Sequence, residues 1–299
     1  MRWVRHDFAE SFPFVFVFSF FIRTFAPMKQ VKPKKNLGQH FLVDLNIAKR
    51  IADTVDEPYA DLPVLEVGPG MGVMTQYLVQ KPRPVKVVEI DRESVAYLKE
   101  TLFPPTSQAI ISGDFLRMDL NQVFDGQPFV LTGNYPYDIS SQIFFKMLDN
   151  KDLIPCCTGM IQHEVALRMA AQPGNKQYGI LSVLIQAWYD VDYLFTVEPD
   201  VFNPPPKVQS AVIRMVRNQT TDLGCDWPLF RRVVKTTFNQ RRKMLRVSLR
   251  QLLPGLQSSA AALQPSSFDL TLRPEQLTIP QFVELTNLVE AALSTMDCA

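Results

Sequence analysis

The stretch V-L-E-V-G-P-G-M-G, Val64 to Gly72, begins as an apolar run and breaks into glycines at every second position. Glycines at a strand end permit unusual backbone angles and let a ligand lie against the main chain. The dinucleotide fingerprint is G-x-G-x-x-G. This loop departs from it, because Val73 stands where the last glycine belongs and Pro69 stiffens the turn. A glycine-rich loop alone does not name a ligand, so the neighbouring strands have to be read with it.

V-K-V-V-E-I at 85–90, A-I-I-S at 109–112 and F-V-L-T at 129–132 are short, continuous apolar runs. Such runs suit parallel strands buried on both faces. Helical spacing is predicted over 45–55, 73–80, 92–102 and 140–148. T-G-M-I-Q at 158–162 reads as a fifth strand, followed by helices over 163–171 and 179–189. The last strands are expected at 193–197 and 211–216, separated by Pro204–Pro206, which cannot donate to a sheet ladder. After Asn218 the pattern turns helical. The expected fold is α/β, a doubly wound Rossmann-like sheet over residues 28–217 with a small C-terminal α-helical domain over 218–299.

In this arrangement consecutive strand ends carry a chemical set. The first supplies Gly68 and Gly70. The second ends in Glu89, placed about 20 residues after the glycines to bind ribose hydroxyls. The third ends in Gly113–Asp114, whose carboxylate can accept from an adenine amino group. The ligand implied is a nucleoside without a pyrophosphate, and S-adenosylmethionine fits.

The fourth strand delivers N-Y-P-Y, Asn134 to Tyr137, to the same edge. An exocyclic amine of a nucleobase is a poor nucleophile because its lone pair is delocalised into the ring. Two acceptors bonded to its hydrogens favour a pyramidal nitrogen with the lone pair aimed outward. The side-chain oxygen of Asn134 offers one acceptor and the backbone carbonyl of Tyr135 the other. Pro136 fixes the turn, and Tyr137 offers a flat face for the base. Catalysis of this kind is positioning and electrostatics, and the base must be flipped out or unpaired to reach it. The alternative use of Asn134 is to cap the helix beginning near Ser140, with both tyrosines in the core.

Net charge is +1 over 299 residues, yet Lys207 to Arg250 holds 11 Lys/Arg against Asp222 and Asp226, a local charge of +9. Such asymmetry suggests a polyanion. Four cysteines without a C-x-x-C, two of them adjacent, suggest a reduced, cytoplasmic chain. His6, His40 and His163 are too scattered for a zinc motif, so no metal is expected. Residues 1–27 hold an apolar run that reads as a signal-peptide core or as an extension upstream of a start at Met28, the second being preferred. It is short for a membrane span, which needs about 20 apolar residues.

Taken in order, N-L-G-Q-H-F-L (36–42), E-V-G-P-G (66–70), V-V-E-I-D (87–91), G-N-Y-P-Y (133–137), Q-Y-G-I-L-S-V (177–183), F-N-P-P-P-K-V (202–208) and F-N-Q-R-R-K-M-L (238–245) resemble the KsgA family of small-subunit rRNA adenine dimethyltransferases. The likeness runs from about Lys34 to Arg250. It implies a class I methyltransferase fold and S-adenosylmethionine as methyl donor. It also implies N6,N6-dimethylation of two adjacent adenines in a hairpin loop near the 3′ end of small-subunit rRNA. Cofactor contacts then fall on His40, Leu42, Gly68, Glu89, Asp114 and Asn134. The family often has Asn at the position of His40 and Leu at that of Tyr135.

Phe202 is a candidate second stacking face, with core packing as the alternative. Dimethylation needs slack around Asn134, for which Tyr135 and Ile139 are candidates. Arg231, Arg232, Lys235, Arg241, Arg242, Lys243, Arg246 and Arg250, with the arm lysines Lys29, Lys32, Lys34 and Lys35, suit phosphate contacts. The expected partner is small-subunit rRNA or a pre-small-subunit particle, bound by a monomer away from any membrane. Alternatives are another amine methyltransferase, acting on DNA or protein, an erythromycin-resistance-type methylase, and a non-catalytic RNA-binding assembly factor.

Overall fold

The computed structural model describes residues 31, 33–34, 39–104, 106–253 and 268–297. The expected extension over 1–27 and the arm lysines Lys29, Lys32 and Lys35 lie outside the described residues. The strands are β1 (Phe41–Leu42), β2 (Val64–Val67), β3 (Val85–Glu89), β4 (Ile110–Ser112), β5 (Val130–Thr132), β6 (Cys156–Gln162), β7 (Tyr189–Val197), β8 (Phe202–Asn203) and β9 (Ser210–Arg217). The helices used below are α1 (Leu45–Asp53), α2 (Thr75–Leu78), α3 (Arg92–Thr101), α4 (Ser140–Asp149), α5 (His163–Ala170), α6 (Ile180–Gln186), α7 (Trp227–Asn239), α8 (Leu245–Ser248) and α9 (Ile279–Asp297).

Seven strands form one sheet in the order β4-β3-β2-β5-β6-β9-β7, and β1 pairs with β8 in a separate ribbon. β4, β3, β2, β5 and β6 are parallel, whereas β9 lies antiparallel to both β6 and β7. The chain winds from β2 outward through β3 and β4, then returns to β5 on the other side. β2 and β5 are therefore neighbours at a topological switch point, where sheets of this kind open a crevice beyond the carboxyl ends of their strands.

The unbroken apolar runs follow from burial on both faces. Leu65, Val67 and Leu131 enter one hydrophobic cluster, while Val64 and Val130 enter the other, as the two-residue period of a strand requires. α1 and α2 cover the second face with Ile51, Ala52 and Leu78.

One expectation changes here. The helix expected over 179–189 stops at Gln186, because Tyr189, Val191 and Tyr193 alternate with Asp190 and Asp192 and open an edge strand four residues before the expected start. The helical segment expected after Asn218 comprises α7, α8 and α9, and it shares the main buried cluster. Phe230, Val234 and Phe238 of α7 and Phe282 and Leu285 of α9 lie in the same buried cluster as Leu65 and Leu131, and the chain from Val31 onward forms one compact unit. The apolar stripe of α7 packs against α6 and α9. No helix among the described residues is long and apolar enough to cross a membrane.

Candidate active site

The carboxyl ends of β2, β3, β4 and β5 open onto one cleft of about 260 Å³. Gly68, Glu89, Asp114 and Asn134 all line it, as do His40 and Leu42 from the segment around β1. The glycine loop and the N-Y-P-Y turn abut directly, since a Cβ at Gly68 would sit 3.9 Å from the Pro136 ring. Gly70 has φ +57°, a left-handed backbone that glycine adopts without steric cost, and a Cβ there would press on the Phe41 ring at 3.0 Å.

Glu89 is 4% exposed. Its Oε2 accepts from the Gly70 N–H at 3.0 Å and its Oε1 from the Asp91 N–H at 2.8 Å. One carboxylate thus fixes the glycine loop against the end of β3 and keeps a further lone pair on each oxygen for a ligand. Burial raises its pKa, opposed by those N–H donors. Glu66 lies beside it on β2, 1% exposed, with Thr75 donating to its Oε2 at 2.7 Å. Burial, reinforced by the Glu89 charge, pushes the Glu66 carboxyl up to about 8. Glu66 lines the cleft but carried no role in the sequence reading. Its place inside the apolar run V-L-E-V was the available signal, since a charged residue is rarely fully buried without a partner.

Asp114 holds its own loop by accepting from the Leu116 N–H at 2.9 Å, and Arg117 lies 3.5 Å away with an exposed side chain. Lys146 of α4 braces the same loop from beneath, donating to the carbonyls of Leu116 and Met118. Nothing in the spacing of the sequence pointed to Lys146.

The Asn134 amide nitrogen donates to the backbone carbonyl of His40 at 3.3 Å. A carbonyl can only accept, so the NH₂ must face His40, and this fixes the side-chain oxygen as the outward group. The turn continues the sheet: Tyr135 N–H donates to Met160 C=O at 3.0 Å, and Met160 N–H to Gly133 C=O at 2.9 Å. This close approach needs Gly159, where φ is +145° and a Cβ would fall 2.3 Å from the Gly133 oxygen. The alternative in which Asn134 caps α4 does not hold, because the residue at that cap is Ile139 and no side chain caps it. Tyr137 stacks against the His40 ring at 5.7 Å between centroids and is hydrogen-bonded to Ser210. His40 is held in turn by Nδ1, 2.8 Å from the Pro204 carbonyl. Among the described residues no group of three or more His, Cys, Asp or Glu is arranged to hold a metal ion.

The profile of the ribosomal RNA adenine dimethylases matches residues 30–289. The chain belongs to that family. The ribosomal RNA small subunit methyltransferase A of Phocaeicola vulgatus is 67% identical over 268 residues, covering 89% of this chain and 92% of the relative. Its counterpart in Bacteroides fragilis is 66% identical over 266 residues, covering 89% and 95%. Among solved structures, a dimethyladenosine transferase from Plasmodium falciparum superposes with a TM-score of 0.66 at 23% identity, covering 84% of this chain and 97% of that one. The 23S rRNA methyltransferase ErmE superposes at 0.61 with 27% identity, covering 84% and 99%. As an rRNA adenine dimethylase, the protein is a methyltransferase built on the class I α/β sheet.

Several residues singled out for the dimethylase are used differently from expectation. Phe202 is 4% exposed and packs in the cluster of Leu42 and Val212; it pairs with Leu42 across the β1–β8 ribbon and does not line the cleft. Core packing, the alternative, describes it. The Tyr135 side chain is fully buried, its hydroxyl donating to Thr158 C=O at 3.0 Å, so it gives the turn rigidity rather than slack. Ile139 remains at the cleft wall.

Arg241 is a structural clamp. It donates to Glu275 at 2.7 Å and to the carbonyls of Tyr178 and Asn175 at 2.6 and 3.1 Å, joining a loop beyond α5 to the tail. Lys34 pairs with Asp91 and Glu93 at the start of α3. Arg242 and Lys243 stand exposed beside Arg241. They sit in the turn where the expected helical run breaks between α7 and α8.

Proposed function

We propose that this chain transfers methyl groups from S-adenosylmethionine to N6 of two adjacent adenosines in the 3′-terminal hairpin loop of small-subunit rRNA, within a maturing particle. The observation that carries the reading is the fixed Asn134 amide, whose free oxygen shares a cleft with Glu89 and Asp114. High identity to ribosomal RNA small subunit methyltransferase A of Phocaeicola vulgatus supports the substrate class.

S-adenosylmethionine, when bound, supplies a methyl group already activated by its sulfonium. The residues at hand suit such a ligand: a glycine loop open to close approach, a buried carboxylate at the ribose position and a second carboxylate at the adenine position. Gly68, Gly70, Glu89, Asp114, His40 and Leu42 would hold it. Asn134 and the Tyr135 carbonyl accept the amino hydrogens of the target base and turn its lone pair outward. Pro136 keeps the two acceptors apart at a fixed angle. Tyr137, backed by His40 and Ser210, presents a face whose position is already determined. After a first transfer one amino hydrogen remains, so one acceptor is relieved; with Tyr135 locked, the yielding wall is Ile139. Arg242 and Lys243 contact phosphates and set orientation.

The test is methyl transfer to small-subunit particles from cells lacking the modification. Mass spectrometry of the rRNA should show dimethyladenosine with the intact protein and none with Asn134→Ala, while that variant still binds particles. Equal methylation of DNA, or none of particles, would overturn the reading.

A further inference from the structure

We propose that the groove along α4, with Lys235 of α7 beside its Phe145, holds the nucleotide next to the flipped adenosine, its base against Phe145 and its phosphate on Lys235. This rests on the reading of the chain as an RNA adenine methyltransferase and adds a second subsite to it.

The groove begins where the cleft ends. Leu116 lines both. α4 then leads away from the reacting turn. Ile139 is at the cleft wall, and Gln142, Phe145 and Asp149 follow at helical spacing along the groove. From Ile139 to Phe145 the helix rises roughly 9 Å, a reach suited to a neighbouring nucleotide. α7 lies beside α4. Arg231 pairs with Asp149 at 2.5 Å, which joins the two helices, and its guanidinium lies between the Phe145 and Trp227 rings. Lys235, one helical turn on, lies 5.2 Å from the Phe145 ring centre. Among the described residues no carboxylate lies within 4 Å of the Lys235 ammonium.

These features point to one class of ligand. A half-buried aromatic ring in the lining of an open groove offers a surface that any base can use. An uncompensated ammonium above it matches a phosphate. Single-stranded nucleic acid is bound through this combination of stacking and cation. The target site contributes its own requirement, because an adenosine drawn into the cleft pulls its neighbours against the rim, and two adjacent adenosines must be presented in turn. A groove that receives the neighbour in a fixed place sets which adenosine enters. Lys146 couples the two subsites, since it sits in the groove wall and holds the Leu116–Met118 loop of the cleft.

The experiment uses the full chain, undimethylated small-subunit particles and a hairpin RNA carrying 2-aminopurine beside the target adenosine. Lys235→Ala and Phe145→Leu should each raise KM for particles roughly five-fold or more and restore the 2-aminopurine fluorescence that the unaltered protein quenches. S-adenosylmethionine affinity should stay within about two-fold, which also reports an intact fold. Unchanged KM and unchanged quenching in both variants, with methylation intact, would overturn the groove and leave the function standing. No methylation of particles by the unaltered protein would overturn the functional reading, and the groove with it.

Discussion

The side-chain amide of Asn134 and the backbone carbonyl of His40, 94 positions apart in sequence, meet at 3.3 Å above the glycine loop. The segment before β1 therefore orients the residue proposed to act on the base. Replacing Asn134 by Ala removes both the anchored donor and the free acceptor. The expected result is a fall in kcat of about 100-fold or more, with the melting temperature little changed, because the backbone bonds of Tyr135 and Met160 remain. Single-turnover methylation at saturating RNA checks this.

Lys146 braces the loop of Asp114, the residue proposed to meet the cofactor. Burial lowers its pKa, against the pull of Asp114 and Asp119, yet both of its carbonyl contacts call for a charged or strongly donating group. Lys146→Met should weaken S-adenosylmethionine binding by about five- to ten-fold, the equivalent of one to two net hydrogen bonds. Lys146→Arg should restore part of it. Calorimetric titration with the cofactor separates this from any effect on kcat.

The buried Glu66 makes a prediction about pH. Its carboxyl keeps a proton to about pH 8 when folded, against an ordinary value of 4.5. Between those values unfolding releases a proton, so this residue's contribution to stability falls as pH rises, by ~1.4 kcal/mol per pH unit. Glu66→Gln removes the dependence. Urea unfolding at pH 5, 6.5 and 8 should show the difference between variant and parent growing with pH in favour of the variant.

A Cβ at Gly159 would collide with the Gly133 carbonyl at 2.3 Å and with the Tyr135 ring at 2.8 Å. Gly159→Ala should destabilise the protein by at least about 2 kcal/mol and reduce methylation further than its loss of folded fraction explains. Circular dichroism melts paired with activity at low temperature separate the two effects.

Arg241 and its two neighbours should part ways. Arg241→Ala breaks a clamp of one ion pair and two carbonyl bonds, and a loss of about 2–3 kcal/mol in stability is expected. Arg242→Ala and Lys243→Ala should change stability by less than about 0.5 kcal/mol while weakening RNA binding and flattening its salt dependence. Thermal melts and filter binding over a salt series measure both.

Much of the architecture was legible because burial on both faces leaves a plain mark. V-L-E-V, V-K-V-V-E and F-V-L-T are short, mostly apolar runs, and each holds a strand of the parallel sheet. The residues that line the cleft could be picked out in the same way, since Glu89 ends one such run and Asp114 and Asn134 each stand one glycine beyond another. Long-range partners were not. Nothing local says that Arg241 reaches Tyr178, that Lys146 reaches Leu116, or that Phe202 folds inward against Leu42. An exposed cation and a clamped one have the same letter, and only the tertiary contacts tell them apart.

Phe230 and Phe282 meet edge to face inside the cluster that also holds Leu65 and Leu131. The cleft and the helices after Asn218 therefore melt as one body. A premature stop shortly after Asn218 would not yield a leaner enzyme lacking its handle. It would uncover the apolar side of α6 on which α7 packs, and exposed apolar surface of that kind invites aggregation. Evolution can retune the handle residue by residue, but it cannot discard it.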